Sequence, residues 1–351
     1  MAPSADTVEL FALQPRVSLE DYASPSAFAA RHRALAAKVD ALRSRDAEGR
    51  PRHPALAVWP EWVGAPLLFT GHVALVRRAT SVQGALKRVA LAEPWDTWNA
   101  WSAFHPPSLL ECVYAARAPR VHRALWETFS GIARDFGLWV VAGSALLPAS
   151  QRGQDTPDFR PYGARTYNTS YTFSPEGRCV AAVRKANLVP TREDALHLSP
   201  GRPEDLALLQ TPFGRLGTLI GYDGFLKPHT SQEPWFVPCA QYLDALGADV
   251  LAQPSANPWP WEAPSPFNAS QRRGEQWREE GLQAQLRMLK RVRYVVSAQL
   301  VGSVLGTPFE APSSILERTD AGEVRVLAEA PSRSEEDVVH ATVPTAARGT
   351  P

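Results

Sequence analysis

The apolar positions along the chain change period repeatedly, and each change marks an expected element. Thr7 to Val17 (TVELFALQPRV) is a short, partly alternating apolar run ending at Pro15, which predicts a strand. In PSAFAARHRALAAKVDALRSRDAEG, Phe28, Leu35, Val39 and Leu42 recur near helical spacing and Gly49 lies beyond them, so a helix is expected. PALAVWPEW is a continuous apolar run stopped by Pro60, the pattern of a strand buried on both faces. An irregular stretch leads to PRVHRALWETFSGIARDFG, read as a helix, and to LWVVAGSALLP, read as one more buried strand.

Two hairpins follow from turn chemistry. YNTSYTFSPEGRCVAAVRK breaks at Ser174-Pro175-Glu176-Gly177, with Pro and Gly where a type I turn favours them, and SSILERTDAGEVRVLAEA repeats the arrangement around Thr319-Asp320-Ala321-Gly322. Between them lie the strand FGRLGTLIGYD, a helix around PCAQYLDALG, the strand ADVLAQPSA and a long helix within EEGLQAQLRMLKRVRYV. The last runs into the strand-like YVVSAQLVG. Strands and helices alternate from end to end without a break in composition. That pattern predicts one α/β layer domain over residues 1–351.

Composition narrows the function classes. The 37 basic and 36 acidic residues give a net charge of +1, which argues against a nucleic-acid partner. The three cysteines, Cys112, Cys179 and Cys239, form no CxxC pair, so neither a disulfide framework nor a zinc site is expected and a reducing cytoplasm fits. All three are read as buried structural thiols. No signal-like start is seen, and no run reaches the ~20 apolar residues that span a bilayer. The histidines show no metal-ligating spacing and no nucleotide-binding glycine loop is present, so neither metal nor organic cofactor is expected.

Chemistry is expected at strand ends, where α/β sheets gather ligands. Glu61 ends ALAVWPE, Lys185 ends CVAAVRK and Gly221 ends LGTLIG, so the three are candidates to converge. Here the chain resembles the carbon–nitrogen hydrolase, or nitrilase, superfamily. VWPEW looks like that family's strand ending in Pro-Glu, and YNTSYTFSPEGRCVAAVRKANLVP like its Tyr-Asn-Thr hairpin with Arg-Lys and Leu-x-Pro. GRLGTLIGYDG is similar to its strand and elbow, and GADVLAQPSANPW to its Gly-Ala-Asp strand with Pro-Ser-Ala. The resemblance implies a four-layer αββα sandwich, homodimeric or larger, with a Glu–Lys–Cys triad. Carried over, Glu61 is the general base and Lys185 the stabiliser of the oxyanion, with Glu193 a looser match to a second carboxylate that places Lys185.

The third member departs from the family. Where it has cysteine, this chain has Gly221-Tyr222-Asp223, and glycine offers no nucleophile. Three readings stand. The pocket persists and binds a small carboxamide, nitrile, acid or amine without turnover; or Glu61 activates a water for slow hydrolysis; or the fold survives as a scaffold or partner subunit. Retention of both Glu61 and Lys185 speaks against the scaffold, because an unpaired buried charge is costly.

Residues 65–107 have no counterpart in the resemblance and read as an insertion. Trp95, Trp98 and Trp101 recur every three residues and are expected to pack it onto the body, with a lid over an apolar ligand as the functional alternative. RRATSVQGALKRVALA has the makings of a basic amphipathic helix on a membrane surface. The helix near Gln283 to Val292 is the expected face for self-association.

Overall fold

A computed structural model describes residues 6–151, 156–233 and 235–346. Two large sheets carry the fold. The first orders its strands Asp337–Pro344, Thr7–Gln14, Ala55–Trp59, Trp139–Ala142, Pro161–Phe173 and Ala145–Ser150, with Cys179–Arg184 also paired to Pro161–Phe173. The second runs Val324–Glu329, Ser314–Arg318, Tyr294–Gln299, Val250–Ser255, Gly214–Thr218 and Leu208–Thr211.

Side-chain alternation builds the layers. Phe11, Leu13, Ala55, Ala57 and Trp59 point outward from the first sheet, into a core shared with the helices Pro25–Leu42 and Leu109–Phe136. Their neighbours Leu10, Ala12, Leu56 and Val58 point inward and meet Leu216, Val250, Ala252, Val296 and Ala298 of the second sheet. The outer face of the second sheet, with Leu251, Val295 and Leu316, packs on Leu243 of the helix Cys239–Leu246 and on Leu282 and Leu286. Three successive cores separate four layers, helix–sheet–sheet–helix, which is the αββα sandwich.

Several elements differ from the sequence reading. LWVVAGSALLP is two strands, because Gly143 adopts φ +62° in a turn where a Cβ would lie 2.2 Å from the carbonyl oxygen of Pro60. The helix expected from Pro119 begins at Leu109, with Ser108 Oγ accepting from the Leu110 N–H at 3.1 Å. Within EEGLQAQLRMLKRVRYV, expected as one long helix, Arg273–Glu280 ends and the short helix Leu282–Gln285 follows Gly281, so of residues 283–292 only 283–285 are helical.

Residues 65–107 form the short helices Ala65–Phe69, Val73–Val76, Val82–Ala92 and Pro94–Phe104. Their tryptophans do not pack inward: Trp95, Trp98 and Trp101 are 77%, 57% and 42% exposed. The spacing placed them correctly on one side, and that side faces solvent. Conversely, Leu86, Val89 and Ala90 of Val82–Ala92 are buried in the first core, so the apolar face that the alternative membrane-surface reading would use is already taken. Among the described residues no helix is long and apolar enough to cross a membrane.

Candidate active site

Glu61 follows directly on the strand Ala55–Trp59 and Pro60, and the turn that presents it is held from three directions. Ser144 Oγ accepts from the Trp62 N–H at 2.9 Å, Ser144 O from the Gly64 N–H at 2.9 Å, and Tyr22 OH donates to Val63 O at 2.7 Å. Trp62 takes φ +67°, a conformation costly for a non-glycine residue and kept here by these contacts. The break at Gly143 is therefore what lets the next strand's turn clasp the Glu61 turn.

Lys185 leaves the end of Cys179–Arg184. Its N–H donates to Asn168 O at 2.9 Å, across the register that pairs Thr169 with Arg184. Lys185 Nζ then donates to Glu61 Oε1 and Glu193 Oε2, both at 2.8 Å, and Asn168 Nδ2 donates to the same two carboxylates at 2.8 and 3.3 Å. Glu193 is fixed in turn by the Val189 N–H at 2.7 Å. Lys185, Glu61 and Glu193 are all buried.

Two carboxylates thus share one ammonium. Burial raises Glu61 to about 7, the attraction of Lys185 offsetting only part of that cost. For Lys185, burial opposes its charge, but Glu193 and Glu61 outweigh it and hold the ammonium above its ordinary value. The group keeps Lys185 charged and leaves Glu61 to exchange a proton near neutrality, as a general base requires.

Gly221 closes the site from the second sheet, at the turn after Gly214–Thr218, with φ +49°. A Cβ built on it would lie 2.3 Å from Glu61 Oε2. That oxygen stands where a nucleophile's side chain would begin, and it accepts from the Ala256 N–H at 3.2 Å. The elbow is braced by Asp223, whose carboxylate accepts from the N–H groups of Ile220, Ala186 and Asn187 at 3.2, 3.1 and 2.7 Å. Gln253 Nε2 adds a bond to Gly221 O at 3.0 Å.

The four sequence candidates therefore meet, and two residues join them that the sequence reading passed over. Asn168 lay inside the quoted Tyr-Asn-Thr hairpin, and hairpin register alone puts it beside Lys185. Asp223 lay inside Gly221-Tyr222-Asp223, and its position three residues beyond Ile220 is the spacing of a side-chain cap on a short turn.

A cavity of about 390 Å³ opens above the cluster, with Glu61, Lys185 and Glu193 in its lining. Its walls are largely apolar: Trp62, Leu68, Phe69, Val82, Leu305 and Phe309. The insertion contributes to this wall through residues 65–83, while its tryptophans lie elsewhere. Five non-glycine residues among those described have positive φ, and three of them, Trp62, Thr191 and Leu305, line this cavity. Such clustering is expected of a site whose surroundings hold the backbone in place.

No thiol reaches the cavity. Cys112 is buried in the helix Leu109–Phe136. Cys239 is buried with its Sγ donating to Val237 O at 3.3 Å, and burial raises its thiol. Cys179 is the first residue of its strand and only half-buried, so the expectation of three buried thiols holds for two.

Residues 69–228 match the carbon–nitrogen hydrolase family model, a span that includes Lys185, Glu193 and Gly221 and begins beyond Glu61. Among curated proteins none matches the chain. Among solved structures, an amidase from Nesterenkonia sp. shares 17% identity at a TM-score of 0.56, over 98% of this chain and 92% of that one. A double mutant of the amidase from Nesterenkonia sp. AN1 in complex with acrylamide shares 16% identity at 0.56, over 99% and 94%. A single mutant of the same amidase, described as from the nitrilase superfamily, gives 17% and 0.55 over 99% and 93%. At such identities the likeness shows the fold. The carbon–nitrogen hydrolase match over residues 69–228 agrees with that fold.

Proposed function

We propose that the protein is a carbon–nitrogen hydrolase-like, amidase-type chain that has lost covalent catalysis and uses the retained frame to bind a small carboxamide, acid or amine. One observation carries this reading: the carboxylate of Glu61 lies 2.3 Å from where the Cβ of residue 221 would be, so the place of a nucleophile is empty in sequence and filled in space. A bound amide would find an acceptor in Glu61 for its N–H groups and a donor in Lys185 for its oxygen, beside an apolar wall.

A second reading rests on Glu61 itself. A carboxyl raised to about 7 is matched to proton transfer at neutral pH, which suits activation of a water for slow direct hydrolysis. Losing a covalent nucleophile generally costs orders of magnitude in rate while positioned electrostatics retain some of it.

The test is ammonia release from a panel of amides, nitriles and carbamoyl compounds by the unmodified protein, Glu61→Gln and Gly221→Cys, with binding followed by calorimetry. Binding without ammonia from the unmodified protein is expected. Turnover that disappears in Glu61→Gln would establish the water route and overturn the binding-only reading. A single mutant of the amidase from Nesterenkonia sp. AN1 shows the result of Michael addition of acrylamide at its active site cysteine. Acrylamide labelling of Gly221→Cys therefore reports whether a thiol at 221 displaces the Glu61 carboxylate and becomes reactive.

A further inference from the structure

The cavity is electrically polarised. Its floor holds two carboxylates, Glu61 and Glu193, against one ammonium, and each of the three is already hydrogen-bonded within the cluster. Its mouth holds the remaining charged lining residue, Arg192. Among the described residues no carboxylate pairs with Arg192. Adjacent Glu193 is taken by Lys185 and the Val189 N–H, and Asp194 accepts from the Thr191 N–H at 3.3 Å.

Arg192 is nonetheless held in place. Its guanidinium lies 5.1 Å from the ring centre of Trp259 and donates to Pro258 O at 3.4 Å. Thr191 before it takes φ +65°, a left-handed conformation that sets the direction in which Arg192 leaves the chain. A planar donor fork, positioned by an aromatic ring and lacking an anion, is the arrangement that recognises carboxylate.

Resting on the binding function proposed above, we propose that Arg192 anchors the anionic end of the ligand, which is an amido acid: a primary carboxamide on the floor, an apolar body along the wall, and a carboxylate at the mouth. Charge fixes the orientation. A carboxylate turned to the floor would face Glu61 and Glu193, whereas a neutral amide there meets both an acceptor and a donor. The wall of Trp62, Leu68, Phe69, Val82, Leu305 and Phe309 selects a body without polar groups.

Isothermal titration with suberamic acid, suberamide and suberic acid tests this in the unmodified protein, Arg192→Gln and Arg192→Lys. Suberamic acid should bind about tenfold or more tighter than suberamide, the difference a charge-assisted contact supplies. It should also bind tighter than suberic acid, whose second carboxylate would face the floor. Arg192→Gln should abolish the preference for suberamic acid over suberamide, with Arg192→Lys retaining part of it. Equal binding of acid and amide, or a preference that survives Arg192→Gln, overturns the anchor and leaves the binding function intact. Binding of none of the three by normally melting protein overturns both.

Discussion

At the scale of single residues, the cluster beneath the cavity is unequal in its parts. With Glu61 made neutral, Lys185 still has Glu193 at 2.8 Å and the remaining pair is balanced. With Lys185 removed, two buried carboxylates face each other. Lys185→Met is therefore expected to cost about 3–5 kcal/mol in chemical denaturation, and Glu61→Gln far less. The pH dependence follows from the same asymmetry. Glu61 ionises at about 7 in the fold against an ordinary value of 4.5, so as pH rises through that window the unfolded chain releases a proton that the fold retains. The stability this provides is full below about 4.5 and lost by about 7. Asp223, raised to about 6 by burial, acts in the same direction in both proteins. The melting temperature of Glu61→Gln should gain on that of the unmodified protein between pH 4.5 and 7. A pH-independent difference would contradict this account.

At the scale of elements, the sharpest control is the turn at Gly143. Both Gly143 and Gly163 have positive φ, at +62° and +90°, but an added Cβ meets Pro60 O at 2.2 Å in the first and nothing within 4 Å in the second. Gly143→Ala is thus expected to cost at least about 2 kcal/mol more than Gly163→Ala by denaturant midpoints, the excess measuring close approach rather than backbone strain. This turn also shows where sequence reading stops. The strands that carry Glu61, Lys185 and Gly221 were legible because Pro60, the Ser174–Gly177 turn and the elbow glycine punctuate continuous apolar runs. The split in LWVVAGSALLP was not, since its cause is a carbonyl contributed from residue 60. Asn168 and Asp223 escaped for the same reason: register and a neighbouring loop give them their roles. Three-residue spacing told which side Trp95, Trp98 and Trp101 share, but nothing local tells what covers that side.

At the scale of the whole molecule, stability should be graded. The strands Val250–Ser255 and Tyr294–Gln299 are buried along their length between two cores, whereas in Pro94–Phe104 only Ala100 is buried. Native-state hydrogen exchange should find the amides of those strands opening only with global unfolding, and those of Pro94–Phe104 opening locally at much lower free energy. Equal protection would mean that the tryptophan helix is covered in solution.

The shared ammonium also bears on the proposal that the pocket binds a ligand without turnover. Lys185 needs no catalytic explanation, since Glu61 and Glu193 together make its loss ruinous to the fold. Glu61 is different: Glu193 alone balances Lys185, and near neutral pH the Glu61 carboxylate weakens the structure that holds it. Of the two, only Glu61 is a group the architecture does not need. On the binding function proposed above, Glu61 beside Gly221 is the residue that a ligand, and not the fold, would account for.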